Sequence, residues 1–165
     1  MKKQNMKLNT KEILKRIGTK KVYVAYGSNL DTGMMERRCP DAEVVGAGIL
    51  HGWELEFKEY ANIREDEKKS TPVLVWAVSA SDEKALDRYE GYPELYRKED
   101  VRFSVWDEDG NELQGEGMAY VMNFKGGLRE PSPLYYGIIE RAYRDLGLPM
   151  HVLEDALKRS RKDGQ

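Results

Sequence analysis

The chain has 165 residues, 34% of them charged, and a formal net charge of -2. That length suits one compact domain with a real core, and the near-balance of charge argues against a nucleic-acid binder. No apolar run approaches bilayer length, the lysine-rich start lacks the pattern of a signal peptide, and the single cysteine, Cys39, has no intrachain disulfide partner, so a reducing cytoplasm is the expected setting.

In chain order, residues 1–20 are basic, with an apolar stripe at Ile13, Leu14 and Ile17 and a helix start at Asn9, where Glu12 follows three residues later. They read as an N-terminal extension forming a surface helix, ahead of one domain over 21–160 and a polar tail over 161–165. Val22 to Tyr26 is β-branched and aromatic, hence a strand. It stops at Gly27-Ser28-Asn29, and a short helix is expected around Thr32 to Arg38. Ala42 to Glu59 reads as one or two strands with bulges or bends at Gly46, Gly48 and Gly52. Glu65 to Ser70 is a charged loop and Pro72 to Val78 a buried strand.

Ser81 is the expected N-cap of the next helix, with Asp82 and Glu83 in its first turn, Ala85, Leu86 and Tyr89 on its apolar side, and Gly91 and Pro93 at its end. Tyr96 to Trp106 and Leu113 to Met122 form a hairpin through Asp109-Gly110. Phe124 to Pro131, containing Gly126-Gly127, is a flexible loop. Ser132-Pro133 opens the longest helix, with Leu134, Ile138, Ala142 and Leu146 along one face and Gly147 past its end. A last amphipathic helix runs over about His151 to Arg159. The strands outnumber what a βαβ alternation needs, so an α+β fold with a mixed or barrel-like sheet and flanking helices is expected.

Few residues remain to carry chemistry. Cys39, His51 and His151 are too few for a structural zinc site, and no metal-binding set is expected. The sequence has no G-x-S-x-G turn, no phosphate-binding G-x-x-x-x-G-K-[ST] loop and no G-x-G-x-x-G fingerprint. That leaves carboxylates, tyrosines and backbone amides. The Gly27-Ser28-Asn29 loop can aim backbone N–H groups at a carboxylate or a developing oxyanion, or it can be an ordinary turn capped by Asn29 or Asp31. Glu90 ends its helix, where the dipole disfavours negative charge. Partial burial there would raise its pKa into the range of general acid–base work, whereas pairing with Arg88 or Arg97 would make it an ordinary solvated glutamate. Tyr135 either places a hydroxyl over a pocket or fills the core, and the same choice holds for Tyr92 and Tyr96. Cys39 reads as a small buried residue, His51 as a sheet or turn residue, and Trp53, Trp76 and Trp106 as core.

Four motifs in register resemble the γ-glutamylcyclotransferase-like family: Y-V-A-Y-G-S-N-L at 23–30, R-C-P-D-A at 38–42, L-D-R-Y-E-G-Y at 86–92 followed by Y-R-K-E-D-V, and P-S-P-L-Y at 131–135 with G-L-P at 147–149. The resemblance covers about Tyr23 to Leu157. It implies a small mixed β-barrel with flanking helices and a cofactor-free enzyme acting on a small γ-glutamyl molecule, with neither nucleic acid nor membrane as partner. Family members that this sequence resembles release 5-oxoproline and free an amino acid or amine. By motif, Tyr23, Val24, Ala25, Tyr26, Gly27, Ser28 and Asn29 would bind the glutamyl group, Glu90 would be the acid/base, and Tyr135 would contact substrate. The Y-G-S-N-L form looks closer to the γ-glutamylcyclotransferase branch than to the γ-glutamylamine branch, whose loop usually reads Y-G-T-L-K. The sequence departs from the family pattern in the charged insert at 65–70, in Ala77 where many relatives carry glycine, and in its first twenty residues. A rival of another class is a binding module that keeps the pocket without turnover.

Overall fold

The computed structural model describes residues 7–163. The first six residues of the N-terminal extension and the last two of the polar tail lie outside the described residues. Helix α1 (Thr10–Thr19) starts where the sequence places it, with the Asn9 side chain accepting from the Glu12 N–H at 2.8 Å. Of its expected stripe, Ile13 is buried and Ile17 partly so, whereas Leu14 is exposed. Much of its docking is polar: Thr10 donates to the Asp107 carboxylate, and the Glu108 N–H donates to the Leu8 carbonyl (2.7 Å).

Five strands follow: β1 (Lys21–Ala25), β2 (Glu43–Lys58), β3 (Tyr60–Val78), β4 (Tyr96–Trp106) and β5 (Glu112–Met122). They close into a ring in the order β1-β3-β2-β4-β5. Every pairing is antiparallel except the closure of β1 on β5, which is parallel at Tyr23↔Met118, so the sheet is mixed as expected. All but the first residue of β1, and Thr71 to Val78 of β3, are buried continuously, without the alternation of a half-solvated sheet. Strands β2 and β4 approach so closely that a Cβ on Gly48 would lie 1.9 Å from the Ser104 carbonyl oxygen. Only glycine fits there.

The expected charged loop Glu65 to Ser70 is instead carried within β3. Its register against β2 jumps from Trp53↔Glu65 to His51↔Ser70, leaving Gly52 opposite Asp66 to Lys69. The charged residues therefore form a bulge in one long strand, and turn-like composition alone could not show that the backbone stays extended.

Helices α2 (Thr32–Arg38), α3 (Ala80–Glu90), α4 (Pro133–Leu146) and α5 (Met150–Asp163) flank the ring. The N-cap of α3 is Ser79 rather than Ser81, because Asp82 three residues on returns a hydrogen bond to the Ser79 N–H and completes a reciprocal capping box. Helix α4 begins at the Ser132 cap and ends at Gly147 in the left-handed conformation, as expected, but α5 equals it in length. Its buried residues are Ile139, Ala142 and Tyr143, while Leu134 is exposed. The inward face is thus turned by about one residue from the expected Leu134–Ile138–Ala142 line, onto the line that also carries Tyr135. Helix α5 runs on to Asp163, through part of the expected tail. No described helix is long and apolar enough to cross a membrane.

Candidate active site

After Ala25 the chain turns through Gly27 into a short 3-10 turn, Ser28–Leu30, and Asp31 then caps α2 by accepting from the Met34 N–H at 3.0 Å. The cap is therefore Asp31, which leaves Asn29 for other work. The turn's own hydrogen bonds start at Leu30 N–H to Gly27 C=O and Asp31 N–H to Ser28 C=O, both 3.0 Å. The N–H groups of Gly27, Ser28 and Asn29 lie ahead of those bonds. Side chains lock the loop from three sides. The Asn29 amide donates to the Tyr23 hydroxyl (3.0 Å), Arg38 donates to the Asn29 carbonyl oxygen, and the Ser28 and Tyr89 hydroxyls are 2.8 Å apart. The Arg38 guanidinium also lies 3.5 Å from the centre of the Tyr89 ring.

Below this loop is a cavity of about 300 Å³ whose wall contains seven tyrosines, one carboxylate and no lysine, arginine or histidine. The carboxylate is Glu90, the last residue of α3. Gly91 stops the helix in the left-handed conformation (φ 68°), its N–H returning to Arg88 C=O, so the chain turns away just after Glu90. Glu90 pairs with neither Arg88 nor Arg97, the latter being bound to Glu99 at 2.6 Å. Among the described residues its carboxylate has no hydrogen bond or ion pair. Burial raises its pKa to about 7, against a smaller opposing pull from Arg38.

Tyr135 reaches the cavity from the first turn of α4, and its hydroxyl accepts from the Ala61 N–H at 3.1 Å. A Cβ on Gly27 would lie 3.1 Å from Ala61 Cβ and 3.4 Å from that hydroxyl, so the loop, the start of β3 and α4 all meet at Gly27. The Tyr26 hydroxyl donates to the Tyr120 carbonyl (2.5 Å), and the Tyr120 hydroxyl donates to Asp87 (2.6 Å), which Lys98 holds at 3.1 Å. Burial above all raises the pKa values of Tyr23, Tyr26 and Tyr135, with the Glu90 charge adding to it. These phenols remain neutral hydrogen-bonding groups at physiological pH.

The structure brings together Tyr23, Tyr26, Gly27, Ser28, Asn29, Glu90 and Tyr135 around this one cavity. Val24 and Ala25 are not in its wall; both are fully buried in the core. Tyr60, Ala61, Leu95 and Tyr120 line the cavity without having been singled out in the sequence, and Tyr89, expected on the apolar side of its helix, and Tyr96, left open there, join them. A signal was present in composition: ten tyrosines against three phenylalanines suits a pocket that needs aromatic walls with hydroxyls. Cys39 is buried, with its thiol pushed up to about 11 by that burial, which suits a structural role. Among the described residues no cluster of three His, Cys, Asp or Glu is placed to hold a metal ion.

The family model for "Gamma-glutamyl cyclotransferase, AIG2-like" matches residues 23–137, from the first cavity tyrosine to the second turn of α4. The chain belongs to this family. A solved structure named "Gamma-glutamyl cyclotransferase" is 27% identical, with a TM-score of 0.67 over 82% of this chain and 85% of its own. The structure of an uncharacterized Homo sapiens protein, loc79017, has the same identity, TM-score and coverage. YkqA from Bacillus subtilis, at 20% identity and a TM-score of 0.69, covers 91% of this chain and 57% of its own, and shares the fold. A sequence search of curated proteins finds no match. The family is one of γ-glutamyl cyclotransferase-like enzymes, so the cavity and its single unpaired carboxylate take on a chemical meaning.

Proposed function

We propose that the protein converts a γ-glutamyl compound to 5-oxoproline and a free amine or amino acid, with Glu90 as the only proton-transfer group of the site. The observation that carries this reading is Glu90 itself, an unpaired carboxylate with its pKa raised to about 7 in a tyrosine-walled cavity. A binding module for an anionic metabolite gains nothing from such a group, which costs stability when ionised.

The nucleophile is the substrate's own α-amine, which attacks the γ-carbonyl and closes a five-membered lactam. Because both partners sit on one molecule, the site mainly holds the glutamyl chain folded. Well-oriented intramolecular reactions reach effective molarities of about 10⁵ M or more, so positioning supplies several kcal/mol. The amine enters as an ammonium. Glu90 takes one of its protons before attack and returns that proton to the departing nitrogen as the old C–N bond breaks. The attacking nitrogen, cationic once the new N–C bond has formed, sheds its second proton to solvent to become the lactam N–H. A pKa near 7 serves both halves of that cycle. The oxyanion of the tetrahedral intermediate meets the N–H groups of Gly27, Ser28 and Asn29, and Tyr135 orients the glutamyl chain from the opposite wall.

The test is 5-oxoproline release from a panel of γ-glutamyl amino acids, γ-glutamyl amines and glutathione. Turnover of at least one member supports the reading. Binding of several without release from any overturns it in favour of a binding module.

A further inference from the structure

The described residues leave seven large hydrophobic side chains exposed, and they are not scattered. Tyr60 (51% exposed), Tyr89 and Leu95 (64%) line the cavity itself. Phe124 (55%) is fastened beside them. The Asn123 N–H donates to the Leu95 carbonyl (2.9 Å), and Lys58, next to the turn that carries Tyr60, donates to the Phe124 carbonyl (3.1 Å). Tyr92, in the same connection as Leu95, places its ring 6.5 Å from that of cavity residue Tyr120. Only Leu14 and Leu134 fall outside this group.

The exposed side chains are seated, since two rest on glycines. A Cβ on Gly91 would lie 2.8 Å from Leu95, and one on Gly126 would lie 2.1 Å from the Phe124 ring. Tyr60 is fixed as well. Its ring packs edge-on against Tyr135 (5.2 Å between centres), and the turn before it is tied by the Glu59 N–H to the Arg129 carbonyl at 3.0 Å. Lys58 has Glu56 at 3.7 Å and Lys98 has Glu83 at 2.6 Å, and each also lies over a ring of this group, Lys58 5.8 Å from the centre of Phe124 and Lys98 4.2 Å from that of Tyr92. Leaving preformed apolar surface in water has a standing cost, and here that surface is continuous with the candidate site.

A cavity of about 300 Å³ is at the small end for ligand sites, with room for a glutamyl-sized group and little more, and its lining residues Tyr60, Tyr89 and Leu95 are the exposed ones. We infer that Tyr60, Leu95 and Phe124 form the leaving-group subsite, and that it selects γ-glutamyl conjugates whose amine carries an aromatic or branched aliphatic group. The inference rests on the proposed reaction and specifies its substrate.

The experiment compares 5-oxoproline release from the γ-glutamyl conjugates of phenethylamine, isoamylamine and ethanolamine, using wild type, Leu95→Ser, Phe124→Ser and the distant surface control Leu14→Ser, each checked for retained folding by thermal melting. Wild type should favour the phenethylamine conjugate over the ethanolamine conjugate by about tenfold or more in kcat/KM, mainly through KM, the scale on which apolar pockets discriminate. Leu95→Ser and Phe124→Ser should each shrink that ratio severalfold, and Leu14→Ser should leave it intact. Equal efficiency on all three conjugates, or a ratio unmoved by both rim variants, overturns this inference and leaves the reaction standing. No release from any of the three conjugates overturns this inference, and no release from γ-glutamyl amino acids and glutathione as well overturns the cyclotransferase reading with it.

Discussion

The two ends of helix α3 treat a carboxylate in opposite ways. At its N-terminus Asp82 is almost fully buried, yet it accepts from the Ser79 N–H at 3.1 Å and the Asp41 N–H at 3.3 Å, at the end of the helix where the dipole favours negative charge. At its C-terminus Glu90 faces the cavity with no such donor, at the end where the dipole opposes its charge, and its pKa rises to about 7. The same helix thus carries one acid that holds the fold together and one that the fold keeps poised for protonation. A satisfied carboxylate builds structure. An unsatisfied one beside a cavity is available for chemistry.

Breaking the C-terminal end should have the largest effect. Glu90→Gln keeps the shape and cannot take a proton, so kcat should fall by about 10²–10⁴ with little change in KM. Steady-state kinetics on any turned-over γ-glutamyl compound checks this.

The same variant should be more stable than wild type at alkaline pH. Glu90 has a folded pKa raised above its unfolded one, so its contribution to stability is fully present below about pH 4.5 and is lost as pH rises through about 7. Denaturant melts at pH 8 should therefore favour Glu90→Gln by on the order of 2–3 kcal/mol, with the gap closing toward pH 4.5. A gap independent of pH would mean that Glu90 is not buried as described.

The N-terminal end responds differently. Ser79→Ala removes the cap and should cost about 1 kcal/mol of stability, read as a lower denaturant midpoint, with kcat per folded molecule unchanged. The smallest effect is expected at the cavity's far wall, where Tyr135→Phe removes the acceptor for the Ala61 N–H. It should raise KM a fewfold and leave kcat nearly intact, and a large loss in kcat would give that hydroxyl a part in proton transfer.

Much of this architecture is legible in the sequence because local rules decide it. The Asn9 and Ser132 caps, the left-handed Gly91 and Gly147 and the hairpin around Gly110 are all set by neighbours a few residues apart. What the sequence hides depends on distant partners. Glu65 to Ser70 has the composition of a loop, yet pairing on either side holds it in a strand. Leu134 fits a helical stripe, but the buried face of α4 is set by where Tyr135 must meet Ala61 and Gly27. The site divides in the same way. Glu90 and the Gly27 loop are visible from their place at element ends, whereas Tyr60 and Tyr120 become cavity residues only when the ring closes. Val24 and Ala25 fall within the matched motif, but their burial gives them to the core.

The most direct test of the account is the pH dependence of kcat/KM for 5-oxoproline release, measured for wild type and Glu90→Gln together. The wild-type profile should rise through an acid limb near pH 7, the free-enzyme value for Glu90, and residual turnover in Glu90→Gln should lack this limb. A Glu90→Gln enzyme with near wild-type rates and the same limb would contradict it.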